Sequence, residues 1–360
     1  MIALAVRLVG AVALLSGCSV TSGRPPAQLS PAAQAAPSRF GLVDSWALST
    51  PESETGTIRS LARFLAQPEF SEEEKARAVF RWVAANLRYD LEAFSSGAFE
   101  NLPPEEVLRR RAAVCDGYAG LFEALARSAG MDAVTIRGYA KGAGYFAGKP
   151  VGNQLNHAWN AVLASGRWRL LDCTWAAGTL TEGDLYDPSF DPYFFDVPPE
   201  EFVLTHFPAD PRWQLREPPM SREEFESLPY VKTSFFKCGL RLGRPKTWKV
   251  EAEGPLVRVS LGAPSGTSLL ASLLQGEEEM REGRITIVRE EGGAVIWALA
   301  PRPGEFTLRV FATRGAPQGP HQWVLDYVVE ARAGQPSGTV EEALAKAGVR
   351  VPEKKARKRT

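Results

Sequence analysis

The sequence predicts an α+β domain followed by an all-β sandwich. Apolar residues at helical spacing, interrupted by β-branched runs, fill the first half of the chain. Beyond residue 229 the pattern changes to short strands separated by Gly and Pro turns. The 360 residues suffice for two domains, and 44% hydrophobic residues can supply a core to each. We therefore expect an α+β domain over residues 40–229, a β-sandwich over 230–333, and a short helix with a basic tail over 334–360.

Composition limits the classes of partner. Lys and Arg together number 42, as do Asp and Glu, so the net charge indicates no polyanionic partner and no nucleic acid is expected. Four cysteines, Cys18, Cys115, Cys173 and Cys238, are too few for a disulfide-built scaffold. No pair of His or Cys has the spacing of a metal site, so neither a metal nor a cofactor is predicted.

Residues 1–17 are typical of a secretory signal. Their apolar run, residues 8–15, follows Arg7 and is too short to span a bilayer as a helix. The run ends in Leu15-Ser16-Gly17-Cys18, which resembles the bacterial lipoprotein signal, with Cys18 as the lipid attachment site. An ordinary cleaved signal or an uncleaved helix stays open as an alternative. With residues 18–39 as a flexible tether, the resemblance implies a lipid-anchored chain of the cell envelope, on the outer membrane or the periplasmic face.

A capped, amphipathic helix is predicted in the first part of the α+β domain. Ser71 and Glu74 form a capping box, in which each side chain accepts from the other residue's backbone amide. The apolar residues behind the box share one helical face: Ala76, Val79, Phe80, Val83 and Leu87. Trp82 and Tyr89 are interpreted as packing residues.

Cys115 lies where a second amphipathic helix begins. From Tyr118, apolar residues recur at i, i+3, i+4, i+7 and i+8, and Gly130 is a natural helix end. A thiol reacts as the thiolate, which the unpaired N–H groups of a helix N-terminus and a neighbouring imidazolium both favour. Gly117 leaves room for a backbone or a substrate beside the thiol. A buried, inert cysteine is the common alternative for a lone Cys on an apolar helix.

A hairpin is predicted to bring His157 and Asp172 to one face of a sheet. Residues 157–163 and 167–175 flank a two-residue turn, so that His157 would pair with Thr174. Asp172 would then lie diagonally across from His157, where a carboxylate can hold an imidazole. A turn with an odd residue count would put the two side chains on opposite faces.

Taken singly, these residues have structural alternatives. His157 could be a strand histidine with satisfied hydrogen bonds, and Asp172 could be a turn cap. Cys173 is expected to face the core, and a Cys173–Cys238 bridge stays open. The Gly-rich segment 142–152 is predicted to be a mobile loop near the site, without the pattern of a phosphate loop.

Three motifs together resemble the transglutaminase-like superfamily: VCDGYAGLF from residue 114, HAWN from residue 157 and WRLLDCTW from residue 168. The likeness is greatest to the kyphoscoliosis-peptidase branch and covers roughly residues 75–330, including His206-Phe207-Pro208. The resemblance implies a papain-like cysteine-protease core followed by an immunoglobulin-like sandwich. It also implies Cys115 as nucleophile, His157 as base, Asp172 as the group that orients the base, and the Cys115 amide as one oxyanion donor.

We therefore predict a transglutaminase-like thiol enzyme of the cell envelope that cleaves a peptide or isopeptide amide through an acyl-enzyme on Cys115. Its partners would be a peptide or protein substrate and, through the lipid on Cys18, a membrane. Two alternatives stay open because a fold does not fix an activity. One is a transamidase that joins Gln and Lys side chains, and the other is a non-catalytic binding or scaffold module.

Overall fold

The computed structural model describes residues 39–97, 102–180, 186–280, 282–315, 318–335 and 337–349. The predicted signal with Cys18, nearly all of the tether and the basic end of the chain lie outside the described residues. Within the described part, no helix has the length and apolar character needed to cross a membrane.

The helices lie mainly in the first half of the chain. They are α1 (Gly41–Leu48), α2 (Ile58–Leu65), α3 (Glu72–Asn86), α4 (Leu91–Ser96), α5 (Pro104–Arg110), α6 (Cys115–Ser128), α7 (Cys173–Ala177), α8 (Pro199–Phe202), α9 (Arg222–Ser227), α10 (Thr233–Lys237) and α11 (Val340–Lys346).

The strands are short in the first half and longer in the second. They are β1 (Arg88–Tyr89), β2 (Ala112–Ala113), β3 (Ala133–Ala140), β4 (His157–Ala164), β5 (Arg167–Leu171), β6 (Thr179–Leu180), β7 (Tyr186–Asp187), β8 (Phe195–Val197), β9 (His206–Pro208), β10 (Tyr230–Val231), β11 (Arg241–Leu242), β12 (Lys249–Ala252), β13 (Leu256–Gly262), β14 (Thr267–Gln275), β15 (Glu278–Glu279), β16 (Ile285–Glu290), β17 (Gly293–Leu299), β18 (Gly304–Arg314) and β19 (Gln322–Ala331).

The first half is built on an antiparallel five-stranded sheet in the order β8-β5-β4-β3-β9. Helices α3 and α6 pack on one face and share a core with residues of the sheet, such as Val162. A second, smaller core around Trp159 and Phe202 covers the other face. Strand β4 is buried along nearly all of its length because it is covered on both sides.

The two amphipathic helices form as predicted. Ser71 and Glu74 make both hydrogen bonds of the capping box ahead of α3. Helix α6 begins at Cys115 and ends just before Gly130. The interpretation of Gly117 needs correction. A Cβ at this position would lie 2.4 Å from the Ala113 Cβ and 3.3 Å from Val107, so the missing side chain lets α6 pack against β2 and α5 rather than making room for a substrate.

The predicted hairpin turn is confirmed, but the second strand ends early. Ala164 pairs with Arg167 across Ser165 and Gly166, which both have the positive φ of a type I′ turn. Strand β5 stops at Leu171, so the predicted pairing of His157 with Thr174 is wrong, and His157 pairs with Gly138 of β3 instead. The reason lies at Asp172, whose side chain accepts hydrogen bonds from backbone amides in the first turn of α7 and thereby starts that helix.

The second half is a β-rich domain of two sheets around one core. The larger sheet has the order β10-β19-β18-β14-β15, with β12 added in parallel to β19, and the smaller sheet has the order β11-β13-β17-β16. Apolar residues of both sheets meet in a common cluster, as in a sandwich. The predicted short helix after the sandwich is α11, and Thr339 and Glu342 form the capping box at its start. Together the two halves confirm the predicted fold class.

Candidate active site

Cys115 is the first residue of α6 and is half-buried. The preceding residue, Val114, has an extended backbone and serves as the N-cap without a side-chain hydrogen bond. The first amides of an α-helix have no acceptor within the helix, so they point their partial positive charge at the thiol's surroundings. Beside the thiol, Asp116 forms a 2.6 Å ion pair with Arg137 of β3 at the protein surface.

His157 and Asp172 form a short, buried pair. The His157 Nε2 lies 2.6 Å from the Asp172 Oδ2, and the other carboxylate oxygen accepts from the amides of Thr174 at 2.8 Å and Trp175 at 3.0 Å. Burial alone would raise the pKa of Asp172, but its contacts with His157 and His206 outweigh burial and hold that pKa below its usual range. The carboxylate is therefore ionised and can only accept, so His157 carries its proton on Nε2.

His157 also reaches the thiol. Although burial disfavours the charged imidazole, the Asp172 carboxylate and the nearby Cys115 raise the pKa of His157 above its ordinary value. Because Nε2 faces Asp172, Nδ1 is the nitrogen left to exchange a proton with the Cys115 sulfur. The three predicted residues thus meet in the order thiol, imidazole, carboxylate, which is the order that nucleophilic catalysis needs.

A second histidine, which the sequence interpretation did not assign to the site, contacts the same carboxylate. The His206 Nε2 lies 3.1 Å from the Asp172 Oδ2, and its Nδ1 lies 2.8 Å from the Thr205 hydroxyl. Two signals could have indicated this position. The chain has three histidines, and His206 is part of the His-Phe-Pro motif that carries the family resemblance.

Aromatic side chains enclose the pair of histidines. Trp175 lies 5.4 Å from His157 and 4.3 Å from His206 between ring centroids. Trp159 contacts both imidazoles, and Phe202 stacks on His206. These rings lower the local dielectric, which strengthens each hydrogen bond to Asp172.

Tyr89 lies on the thiol side of the site. Burial raises the pKa of its hydroxyl, and the nearby Cys115 and Asp172 add to that rise. Its ring stacks on Tyr186 and contacts Phe94. The ring of Tyr89 therefore packs as predicted, and its hydroxyl lies near Cys115.

The other two cysteines that the structure describes are not part of the thiol–imidazole–carboxylate arrangement. Cys173 and Cys238 are buried free thiols, so no bridge joins them. Burial raises the pKa of the Cys173 thiol, and the negative charge of Asp172 raises it further. Cys173 faces the core as predicted.

One group of side chains has the composition of a metal site. His157, Asp172 and His206 each offer a ligand atom, and these atoms lie within 4.8 Å of one another. The Nε2 atoms of the two imidazoles lie 2.6 and 3.1 Å from the same oxygen of Asp172. The carboxylate therefore already accepts hydrogen bonds from two ring N–H donors. The donor set therefore fits a proton network, and the prediction that no metal binds stays a prediction.

Comparisons with known proteins identify two domains. Residues 59–173 match the transglutaminase-like superfamily. Residues 222–338 match the KY-like, immunoglobulin-like domain. The first match contains Cys115, His157 and Asp172, and the second covers most of the two-sheet domain.

Relatives are found among animal proteins. The chain is 32% identical over 256 residues to kyphoscoliosis peptidase of Mus musculus, a match of 71% of this chain and 38% of that protein. It is 28% identical over 309 residues to hillarin of Drosophila melanogaster, covering 78% of this chain and 37% of that protein. A third relative, Lim and transglutaminase domain protein ltd-1 of Caenorhabditis elegans, is 32% identical over 215 residues, 56% of this chain and 29% of that protein. The chain thus spans less than two fifths of the length of each of these relatives.

Proposed function

Because the chain carries a transglutaminase-like domain followed by a KY-like, immunoglobulin-like domain, we propose that it is a thiol enzyme that cleaves a peptide or isopeptide amide. The observation that carries the proposal is the position of His157, which contacts Asp172 at 2.6 Å and has Cys115 close enough to affect its pKa. The similarity to kyphoscoliosis peptidase supports an amide as substrate.

The reaction follows from the geometry. The Cys115 proton passes to the His157 Nδ1, and the thiolate attacks the amide carbonyl carbon to form a C–S bond. The Cys115 amide can donate to the oxyanion that develops. Protonated His157 returns the proton to the amide nitrogen as the C–N bond breaks, which leaves a thioester on Cys115 and a free amine. Asp172 keeps the ring oriented and stabilises its charged form throughout.

The acceptor decides between hydrolysis and cross-linking. Water, deprotonated by His157, would attack the thioester and release a carboxylic acid together with the regenerated thiol. A lysine amine in the same place would form a new amide and make the protein a transamidase. Both reactions need the same activated thiolate, so a test of that thiolate precedes a test of the acceptor.

Alkylation of Cys115 tests the proposal without a known substrate. The purified protein is treated with iodoacetamide near pH 6, and the modified cysteines are mapped by mass spectrometry. We expect rapid, selective modification of Cys115 that is lost in His157→Ala. The buried thiols Cys173 and Cys238 provide controls within the same chain. Slow labelling of Cys115 that His157→Ala does not change would contradict an activated thiolate and favour the scaffold interpretation.

A peptide library with and without a labelled primary amine then identifies the acceptor. Hydrolysis products that disappear in Cys115→Ala support a peptidase or amidase. Incorporation of the amine at a rate above that of hydrolysis would replace this assignment by transamidation.

We also propose that the protein acts in the cell envelope, anchored by a lipid on Cys18. The support is the signal-like sequence of residues 1–18, with its apolar run followed by Leu-Ser-Gly-Cys. Metabolic labelling with an alkyne-tagged fatty acid should mark the wild-type chain and not Cys18→Ala. Equal labelling of both would exclude Cys18 as the attachment site.

A further inference from the structure

The carboxylate of Asp172 is shared between two imidazoles, although one imidazole suffices for a thiol triad. The His157 Nε2 and the His206 Nε2 both lie within hydrogen-bond distance of the Asp172 Oδ2. His206 is buried and comes from β9, at the edge of the five-stranded sheet. Gly138 permits this approach, because a Cβ there would lie 2.3 Å from the Phe207 carbonyl oxygen and 2.5 Å from the Trp159 ring. The sheet is thus built to admit the second imidazole.

The hydrogen bonds of His206 determine which nitrogen carries the proton. An ionised carboxylate only accepts, so the proton that faces Asp172 lies on the His206 Nε2. The Nδ1 is then an acceptor. The Thr205 hydroxyl lies 2.8 Å from this nitrogen and 3.4 Å from the Phe202 carbonyl oxygen, so its shorter hydrogen bond is the one to His206. The chain of donors runs from Thr205 through His206 to Asp172, and the Asp172 carboxylate accepts from two backbone amides and two rings.

The surroundings of His206 keep it neutral. Phe202 stacks on its ring at 4.0 Å between centroids, and Trp175 and Trp159 close the other sides. Burial lowers the pKa of His206 to about 4 despite the hydrogen bond from its ring to Asp172. Among the described residues, the titratable groups that face this network are Asp172 and His157, with Cys115 beyond His157. Tyr89 and Cys173 also lie close enough to Asp172 to feel its charge.

We infer that His206 is a positioning residue that tunes the thiol–imidazole pair by donating a fixed, neutral hydrogen bond to Asp172. The inference rests on the proposed function. A donor on the Oδ2 withdraws part of the negative potential that Asp172 exerts on His157 and Cys115. While His157 is protonated, the donor thus eases loss of the Cys115 proton, and it also lets His157 give up its own proton more readily to the leaving amine.

The test is the pH profile of Cys115 alkylation in two matched variants. His206→Phe removes the donor and keeps a ring among Phe202, Trp159 and Trp175, whereas His206→Gln keeps an N–H donor near the position of Nε2. A hydrogen bond to a charged group shifts the pKa of that group, here Asp172, by about one unit, and only part of this change reaches Cys115 through His157. We therefore expect His206→Phe to move the acid limb of the profile up by a fraction of a unit, with an about two-fold lower rate near pH 5, and His206→Gln to stay close to wild type.

The outcomes separate this inference from the proposed function. If the wild-type thiol is not activated, the proposed function fails. If it is activated and His206→Phe leaves the acid limb in place, or if both variants move it equally, the positioning role is overturned. Should His206→Phe fail to fold, His206→Met decides by the same readout, because its unbranched apolar side chain also offers no donor to Asp172. An unchanged profile in that variant overturns the inference, and an upward shift supports it.

A metal ion at the same side chains is the competing explanation of the cluster. The wild-type profile is therefore recorded after dialysis against EDTA and again with added Zn²⁺. An unchanged profile after EDTA, with inhibition by Zn²⁺ or without it, supports a proton network. A profile that depends on removal of a metal would overturn the role of His206 as a hydrogen-bond donor.

Discussion

Asp172 and His157 are joined by a 2.6 Å hydrogen bond, and the same Asp172 carboxylate starts the helix that follows β5. One side chain thus performs two tasks with its two oxygens. Oδ1 caps α7, and Oδ2 meets the imidazole. The cap holds the carboxylate in place through its Oδ1. The orientation of His157, which contacts the Oδ2, therefore depends on the local structure at Asp172.

Asp172→Asn should separate these two tasks. The amide oxygen can still accept from Thr174 and Trp175, so the cap and the fold are retained. The amide nitrogen would face two ring N–H donors, and the charge that stabilises imidazolium is lost. We expect hydrolysis to fall by about 10³- to 10⁴-fold and alkylation of Cys115 near pH 6 to fall with it.

Asp172→Ala provides the comparison. It removes the cap as well, so it should lower the free energy of unfolding by a further 0.5–2 kcal/mol, roughly. Urea denaturation measures this difference. If Cys115 of Asp172→Asn were alkylated near pH 6 as fast as Cys115 of wild type, the carboxylate would not act on His157.

Gly117→Ala and Gly120→Ala should have opposite effects, although both lie in α6. A methyl group at Gly117 meets Ala113 at 2.4 Å, whereas at Gly120 it meets nothing within 4 Å. We expect Gly117→Ala to destabilise by about 1–3 kcal/mol and to displace the thiol. Gly120→Ala should be neutral or stabilise by up to about 1 kcal/mol because Ala is the better helix former. Equal unfolding midpoints would contradict the packing role of Gly117.

The pH dependence of stability should report the neutral state of His206. Its pKa falls from about 6.5 in the unfolded chain to about 4 in the native protein. The unfolded chain then binds more protons between these values, so stability is lost as the pH falls through this window. His157 acts in the opposite sense, because its raised pKa contributes stability that is lost only as the pH rises.

Replacing His206 should remove the acidic loss. The stability of wild type relative to His206→Phe should fall on acidification from about pH 6.5 to 4, by up to about 1.4 kcal/mol per unit. The stability of wild type relative to His206→Gln should show the same pH trend, since this variant also lacks the titrating ring. Parallel unfolding curves for wild type and both variants would mean that His206 is protonated in the folded protein.

The sequence patterns predicted the turn of the β4–β5 hairpin but not how Asp172 reaches His157. Periodicity could place Ala164 opposite Arg167 because the turn residues Ser165 and Gly166 define the register. It could not show that β5 ends at Leu171, since a strand and a capped helix compete at an Asp that follows an apolar run. The three residues still meet, through a helix cap in place of the expected cross-strand pair.

His206 was missed for a different reason. It lies 34 residues beyond Asp172, in a strand of only three residues. Short strands carry no readable alternation, and the contact depends on β9 pairing with β3. A single sequence contains no signal for that pairing, apart from the motif shared with the family.

Lys141 should make the stability of the protein depend on pH under alkaline conditions. It follows β3 and is fully buried, and its Nζ donates to the carbonyl oxygens of Phe225 at 2.6 Å and Leu228 at 3.0 Å. It thereby joins the transglutaminase-like domain to α9, where the match to the immunoglobulin-like domain begins. Burial lowers the pKa of Lys141 to about 7, and the charge of Glu226 limits that fall.

The sign of the effect follows from proton binding. Between about pH 7 and the unfolded pKa of about 10.4, the unfolded chain binds more protons at this residue, so native stability rises with pH. Lys141→Met removes the titrating group. We expect the stability of wild type relative to this variant to increase from about pH 7 to 10 and to be constant below about pH 7. Urea titrations at a series of pH values measure it.

Glu226→Gln distinguishes titration of Lys141 from other alkaline effects. Loss of the neighbouring negative charge should lower the pKa of the buried amine further, so the rise in stability should begin at a lower pH than in wild type. If Glu226→Gln and wild type rise together, or if Lys141→Met keeps the wild-type slope, the buried amine is not the group that titrates. In that case Lys141 joins the two domains as a permanently charged donor to the end of α9.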